Sequence, residues 1–418
     1  MTDRQRNGFI LLLVAGLVAA SLAVIATKKT VLGLDLKGGV ELIYQGEPSA
    51  QVPKVTPGAL SQAVNIMRTR VDQLGVTEPE IQTTGGNQIT VGLPDISDLQ
   101  RAQNQVGTTA QLYFYDWEKN ALITSGPDAG KPVASQLQTQ ESTAVQISQG
   151  TQALPPGSPG MGSVPLYQAV VLAHKQPTAP ITKTESHLGP VYYLFGTAGS
   201  AACKFAAQSQ HTTPVVGQHC LLAGPETSIQ YIKEDLTSAF GNKVTLAQGQ
   251  LLTVPRGTVV LQAVDNNASK QTPITSPQAQ FYVLQDNYAL QGTDITSPSQ
   301  STDQSGNPDV QFSFTSTGQK EFSNVTDQIA KRGFTASPPG QTYNQHFAVA
   351  LDGKLITVPS IDYNQYPDGI SGSNGADITG GFTATSAQDL ATLLQDGALP
   401  INLRLISSSQ VSATLGSQ

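Results

Sequence analysis

The chain has 418 residues, a net charge of −7 and only 13% charged residues. That length allows two or three domains, and the acidic balance argues against nucleic-acid binding, which requires a basic surface stripe. Only two cysteines occur, and no Cys-x-x-Cys or Cys/His cluster indicates a zinc site. We therefore expect no nucleic-acid partner, no metal and no cofactor.

An apolar run opens the chain. Residues 8–27 carry no charge, and a helix of that length reaches about 30 Å, the thickness of a hydrocarbon core. A cleaved signal peptide is the alternative, because small residues at 19–23 fit a cleavage site, but the apolar run continues past them. We expect an uncleaved transmembrane helix at 8–27.

The charges on the two sides of the apolar run favour opposite orientations of the helix in the membrane. Arg4 and Arg6 favour a cytoplasmic N-terminus at residues 1–7, whereas Lys28 and Lys29 oppose it. We expect the cell membrane as the location, with the N-terminus cytoplasmic and the main domain extracytoplasmic.

A charged glycine segment follows the apolar run. It contains Asp35, Lys37, Gly38 and Gly39, and it leads directly into an alternating strand at 40–44. The glycine pair allows a backbone shape that a residue with a Cβ does not easily adopt. The segment is either a solvated interfacial pair beside a kink or a joint that couples the membrane helix to the outer domain.

A first folded segment spans 33–117. Thr56 suits a helix N-cap and Pro57 the first helical position, and an apolar stripe follows at Leu60, Val64, Met67, Val71 and Leu74. Gly75 suits the C-cap. The remaining predictions are a hairpin of strands 80–84 and 88–93, a helix near 96–106 and a strand at 111–115.

The middle of the chain, 118–305, has a different amino-acid composition. It is rich in Gln, Ser, Thr, Pro and Gly, but its apolar stretches argue against plain disorder. We expect an inserted, loop-rich subdomain that projects as a separate head.

This region holds Cys203 and Cys220. In an oxidising compartment the two would form a disulfide that contributes about 3 kcal/mol of stability. The alternative is a pair of unpaired thiols.

The second folded segment, 306–410, repeats the order strand, helix, hairpin, helix, strand. Its predicted elements are a strand at 310–314, a helix from 315, a hairpin turning at Asp352-Gly353, a strand at 376–382, a helix at 386–396 and a strand at 401–406. The repeat predicts an α+β fold with a two-half base, either sharing one sheet or built as two packed ferredoxin-like units.

Catalytic motifs are missing from the sequence. There is no HExxH, no GxSxG and no phosphate-binding loop, and the five histidines show no metal-ligand spacing. Asp95 and Asp98 stand at a helix start, where acids act as caps. We expect no enzyme activity.

Several ordered blocks resemble the SecD family of accessory subunits of the bacterial Sec protein translocase. The blocks are Gly33–Val40, Arg68–Ile81, Ile89–Pro94, Leu351–Ile356, Ile378–Thr383 and Leu394–Pro400. The chain departs from the pattern at Asp95, where glycine is usual. No block is recognised in the middle region.

The resemblance implies a first transmembrane helix, an extracytoplasmic ferredoxin-like base with a protruding head, and a likeness to RND transporters. It implies binding of unfolded preprotein, export driven by the proton gradient, and SecF and the SecYEG channel as partners, with SecA involved indirectly. Residues 411–418 would approach a second membrane helix that this sequence does not contain, so the proton-carrying residues would lie elsewhere. The alternative function is a single-pass binding or scaffolding module unrelated to export.

Overall fold

The computed structural model describes most positions of 8–21 and residues 38–134, 162–180, 189–209, 219–264 and 272–411. Within these ranges it does not describe residues 50, 51, 53, 74, 75, 77, 78, 97 and 277. Positions 12–19 are helical and exposed. Within these described residues no helix is both long and apolar enough to cross a bilayer. The predicted transmembrane helix at 8–27 lies partly outside them.

The described residues form mixed α and β structure. The strands are β1 Gly39–Glu47, β2 Glu80–Thr84, β3 Gln88–Pro94, β4 Leu112–Asp116, β5 Val191–Gly196, β6 Cys220–Glu226, β7 Gly249–Val254, β8 Thr258–Ala263, β9 Phe281–Gln285, β10 Leu290–Gln291, β11 Ile295–Thr302, β12 Pro308–Phe314, β13 Gln345–Leu351, β14 Lys354–Thr357, β15 Ser360–Ile361, β16 Ala376–Ile378 and β17 Asn402–Val411. The helices are α1 Pro57–Gln73, α2 Leu99–Gly107, α3 Trp117–Asn120, α4 Leu166–His174, α5 Ala201–Ser209, α6 Ile229–Phe240, α7 Ser316–Ala336 and α8 Ala384–Asp396.

The chain divides into two compact units. Unit 1 comprises residues 1–45, 67–107 and 404–418, and unit 2 comprises 46–66 and 108–403.

The sheet of unit 1 has four strands in the order β17-β1-β3-β2. The predicted hairpin is confirmed, since β2 and β3 pair antiparallel from Glu80↔Gly92 to Thr84↔Gln88. Strand β1 pairs antiparallel with β3 from Gly39↔Pro94 to Gln45↔Gln88. The buried side chains Leu42, Ile89 and Val91 alternate with partly exposed ones, as the period of 2 predicts.

Helix α1 begins as predicted. The amide of Ala59 donates to the side-chain oxygen of Thr56 over 3.2 Å, which satisfies one of the free amides of the first turn. The apolar stripe is buried at Leu60, Val64, Met67 and Val71. Leu74 and the predicted C-cap Gly75 lie outside the described residues.

The largest sheet of unit 2 has the order β10-β4-β13-β14-β8-β9, with β15 paired to β13. Strands β4 and β13 are buried on both faces, which is why residues 112–115 and 347–351 are apolar without alternation. On one face Phe114 and Phe347 stack with ring centroids 5.7 Å apart in a core that includes Phe322 of α7. On the other face Tyr115 packs with Trp117.

Two smaller sheets complete unit 2. Strands β11-β12-β16 lie against α8 and share the core of Phe322. Strands β6-β5-β7 pack against α5 and α6 around Leu194 and Ile232.

The predicted division into base halves at 33–117 and 306–410 around a head at 118–305 does not coincide with these units. Strand β4 pairs with β13, and β14 pairs with β8 from the middle of the chain. Of the second segment only β17 joins the sheet of β1. Period-2 alternation identifies a strand but not its partner, so the repeated element order suggested two halves that the strand pairing does not form.

Candidate functional site

The glycine pair at the start of β1 has the conformation its sequence suggested. Gly38 has φ 73° and Gly39 has φ 147°, both unfavourable for side chains with a Cβ. Both are buried, and the carbonyl of Gly38 accepts the amide of Asp95 over 3.1 Å. Asp95 itself has φ 63°, a conformation that suits the glycine expected there. Asp35 and Lys37 lie outside the described residues.

Cys203 and Cys220 form a disulfide between α5 and β6, with their Cα atoms 5.6 Å apart. Gly196 on the neighbouring β5 leaves the space for it, since a Cβ there would lie 2.7 Å and 2.9 Å from the two sulfurs.

Asp352 does more than form the predicted hairpin turn. Its carboxylate accepts the backbone amides of Ala110 and Gln111, each over 2.9 Å, and the hydroxyl of Thr109. Burial raises the pKa of Asp352 above its ordinary value, and the hydrogen bonds from Thr109, Gln111 and Ala110 oppose that rise. Asp352 thus holds the residues that immediately precede β4.

Residues 109–111 lie beside the other segments by which the chain enters and leaves unit 2. We call residues 46–49, 108–111 and 399–403 the crossing segments. Each lies within unit 2, and one end of each is the point where the chain passes from one unit to the other. The amide of Leu399 donates to the carbonyl of Thr109 over 2.8 Å. The Ser49 hydroxyl donates to the Pro400 carbonyl over 2.6 Å, and the Asn402 side chain to the Pro48 carbonyl over 2.9 Å. The three segments are therefore joined by hydrogen bonds.

Two residues of this cluster adopt a left-handed backbone. Ala110 has φ 56° and Asp352 has φ 48°, a conformation that costs about 1–2 kcal/mol for a residue with a Cβ. Such strain persists only where the surrounding contacts determine it.

A buried charge network lies elsewhere in unit 2. Arg332 of α7 donates to Asp116 over 2.8 Å and lies 3.8 Å from Glu118. Glu118 in turn accepts the ring Nδ1 of His346 over 2.6 Å and its backbone amide over 2.9 Å. Burial raises the pKa of Asp116, and its bonds to Arg332 oppose that rise.

The network connects α7 to β4, α3 and β13. Asp116, Glu118 and His346 are all buried, so their polar atoms bond to one another and to Arg332 rather than to water. Neither this network nor the second role of Asp352 was predicted from the sequence, because long-range polar partners leave no periodic signal. The residue types themselves were the only hint, since charged side chains within apolar segments need a partner.

The remaining histidines take structural positions. The ring of His219 stacks on Tyr167 at 3.7 Å, and His174 lies 2.9 Å from the carbonyl of Thr253. His187 and His211 lie outside the described residues. Among the residues that the structure describes, no group of His, Cys, Asp and Glu is placed to hold a metal ion.

An open cleft of about 250 Å³ lies between β6, α6 and residues 274–275. It is lined by apolar side chains such as Leu222 and Ile274, with Asp235 and Ser238 at its polar side.

Two segments of the chain match family models. Residues 60–119 match the N-terminal P1 domain of the protein translocase subunit SecDF, and residues 267–401 match the SecDF P1 head subdomain. The matched head begins well after residue 118, the start predicted from the sequence.

Among curated relatives, SecD of Synechocystis sp. is 24% identical over 415 residues, 99% of this chain and 62% of the relative. SecD of Streptomyces coelicolor is 27% identical over 93% of this chain and 62% of the relative. SecDF of Bacillus subtilis is 37% identical over 28% of this chain and 16% of the relative. The chain thus spans about three fifths of the length of the first two relatives.

Solved SecDF structures overlap weakly. The super-membrane-facing form of SecDF gives a TM-score of 0.40 at 20% identity over 98% of this chain and 35% of that one. A SecDF described as a membrane component that enhances protein export gives 0.38 at 17% identity, over 88% of this chain and 98% of that one. At these values the overlap supports no statement about fold.

These relatives are all described as protein translocase subunits, which is the class of protein that the chain resembles. Within that class, the chain is similar to SecD over almost its whole length, and two of its segments match SecDF P1 models.

Proposed function

We propose that this chain acts in protein export, as the anchor and extracytoplasmic part of a SecD-type translocase subunit. The observation that carries the proposal is the similarity to SecD over 99% of the chain, together with the two P1 segments matched in chain order. The location is the cell membrane, with residues 8–27 as the anchor and the two units outside.

Unit 1 serves as the base in this proposal. Its elements run strand, helix, two strands, helix and finally β17, with the sheet order β17-β1-β3-β2. That order agrees with a single ferredoxin-like unit, into which residues 108–403 are inserted between α2 and β17. The glycine pair of β1 would then join the anchor to this base.

Unit 2 binds unfolded preprotein in this proposal, and SecF and the SecYEG channel are the partners that deliver it and couple export to the proton gradient. Its most exposed large apolar side chain in the described residues is Phe334, at 70% exposure, which lies on Tyr363 with ring centroids 6.0 Å apart. Binding of an unfolded segment over such a side chain is favourable, because it removes apolar surface from water. The cleft between β6 and α6 offers a second apolar contact.

Depletion of the protein from its native cells tests the export role. Unprocessed precursors of secreted proteins should accumulate, and the native gene should restore processing. Normal secretion after depletion would instead support a membrane-anchored scaffolding module with no part in export.

Photo-crosslinking tests preprotein binding separately. A crosslinker at Phe334 or at Ser238 in the cleft should capture a stalled precursor during export, whereas one at exposed Lys320 on the same helix as Phe334 should not. Equal capture at all three positions, or capture at none, would contradict specific binding by these surfaces.

A further inference from the structure

The crossing segments are held together inside unit 2. The chain passes between the two units four times. Three of these crossings lie at the segments 46–49, 108–111 and 399–403, and the fourth lies inside α1. Hydrogen bonds join the three to one another. Within unit 2, the three segments by which the chain enters and leaves it are therefore held to one another.

Asp352 connects that cluster to the largest sheet. It stands at the turn between β13 and β14, and both strands lie within that sheet. Its carboxylate accepts three donors from consecutive residues, Thr109, Ala110 and Gln111. Its own amide donates to the carbonyl of Gln111 over 3.1 Å, so one residue makes four bonds to a single segment.

The backbone supports a functional role for this contact. A two-residue hairpin turn needs no partner beyond its own strands, and Ala110 is held in a left-handed conformation with φ 56°. Strain of this kind is retained where a fixed geometry is used.

We propose that Asp352 is a positioning residue for export: it fixes residues 109–111 to the turn of β13 and β14, so that movement of the largest sheet moves the segment by which the chain leaves unit 2. This inference rests on the proposed export function. It assigns to Asp352 a task beyond the hairpin turn, which glycine or asparagine could form equally well.

Asp352→Ala and Asp352→Asn test the proposal, with Asp362→Asn as the matched control. Among the residues that the structure describes, the Asp362 carboxylate accepts only a local amide, that of Asn364 over 2.9 Å. In the whole chain, hydrogen exchange of the Ala110 and Gln111 amides should accelerate about tenfold or more in Asp352→Ala, the loss expected for a bond to a charged acceptor. Asp352→Asn keeps one acceptor oxygen and should lie between Asp352→Ala and the native protein.

Export in cells carrying each variant in the native gene gives the decisive result. We expect precursor accumulation in the order Asp352→Ala, then Asp352→Asn, then native, with Asp362→Asn like native, while the fluorescence of Trp117 shows unit 2 folded in all four. Native export by Asp352→Ala despite faster exchange at Ala110 and Gln111 would overturn the proposal. An export defect that only follows unfolding at Trp117 would also overturn it, because the role would then be structural.

The failure of this proposal is distinguishable from that of the export function. If depletion of the native protein leaves precursors unchanged, the export function itself fails and the proposal with it. If depletion blocks export and Asp352→Ala does not, only the role of Asp352 is overturned.

Discussion

Arg332 carries the positive charge that the buried carboxylates of unit 2 require. It is 21% exposed, whereas Asp116 and Glu118 are 4% and 0% exposed in their side chains. Its guanidinium can donate to both oxygens of Asp116 at once, a geometry that lysine cannot reproduce. Charge and hydrogen bonding at this position are therefore inseparable.

Replacing Arg332 with Met should destabilise unit 2 by about 3 kcal/mol, because the buried carboxylate of Asp116 loses its cationic partner while Glu118 keeps its bonds to His346. Denaturant unfolding followed by Trp117 fluorescence measures the effect, since Trp117 lies between the two acids and is the single tryptophan. The control is Lys331→Met next to it, which removes an exposed pair with Asp327 and should change stability by less than about 0.5 kcal/mol. Equal effects of the two variants would argue against the network.

Gly38 directly precedes β1 and is itself part of the fold. Because φ is 73° and the residue is buried, Gly38→Ala should destabilise unit 1 by about 1–2 kcal/mol. Hydrogen exchange of the Asp95 amide, which donates to the Gly38 carbonyl, should accelerate, while Gly86→Ala at an open turn position should leave it unchanged. A side chain at position 38 therefore perturbs unit 1 itself, and native exchange in Gly38→Ala would contradict this.

At the scale of single elements, helix α1 shows how local sequence determines structure. Thr56, Pro57 and the apolar stripe predicted its start and its buried face, and both agree with the structure. The helix contributes Met67 and Val71, each with 0% exposure, to the interior of unit 1.

Met67→Asp should unfold unit 1, because a fully buried thioether is replaced by a charge at a cost above about 4 kcal/mol. Gln62→Asp introduces the same residue at an exposed position of the helix and should be tolerated. Loss of slow amide exchange in β1 and β3 of Met67→Asp alone would agree with this expectation. Similar exchange in both variants would show that the stripe does not hold the unit together.

At the scale of the whole molecule, the elements were predictable and their partners were not. The hairpins at 80–94 and 345–357, the Thr315 cap of α7 and the C-terminal Gly397 of α8 all follow from local patterns. The pairing of β4 with β13 and of β14 with β8 joins residues far apart in the chain, and no local pattern encodes it. For the same reason the hydrogen bonds of Asp352 could not be predicted. Its turn was recognised, but its partners lie some 240 residues away.

Burial of three acidic groups contributes a pH dependence of predictable sign to the stability of unit 2. Burial raises the pKa of Asp116, Asp309 and Asp352 above the ordinary 3.8. A raised pKa in the folded state means that the native state binds protons more readily than the unfolded state. Stability from these groups is therefore lost as pH rises from about 4 through each raised pKa.

Asp309 shows this effect without an opposing bond at Oδ1, which has no hydrogen-bond partner among the described residues, and the charges of Asp377 and Asp303 add to the rise that burial causes. Asp309→Asn should be more stable than the native protein at pH 7, and its advantage should shrink as pH falls toward 4. Unfolding followed by Trp117 fluorescence at pH 7, 5.5 and 4.5 measures both effects. A constant difference across this range would show that the carboxylate is not penalised by burial.

Asp303→Asn is the opposing control on the same hairpin. Bonds from Asn307 hold the pKa of Asp303 below its ordinary value, so the native carboxylate is favoured and its loss should destabilise at pH 7. Because that pKa lies below 3.8, the deficit should stay constant from pH 7 to 4.5, where the Asp309→Asn gain declines. Opposite signs at neutral pH from two aspartates six residues apart would separate burial from hydrogen bonding as the cause of each shift.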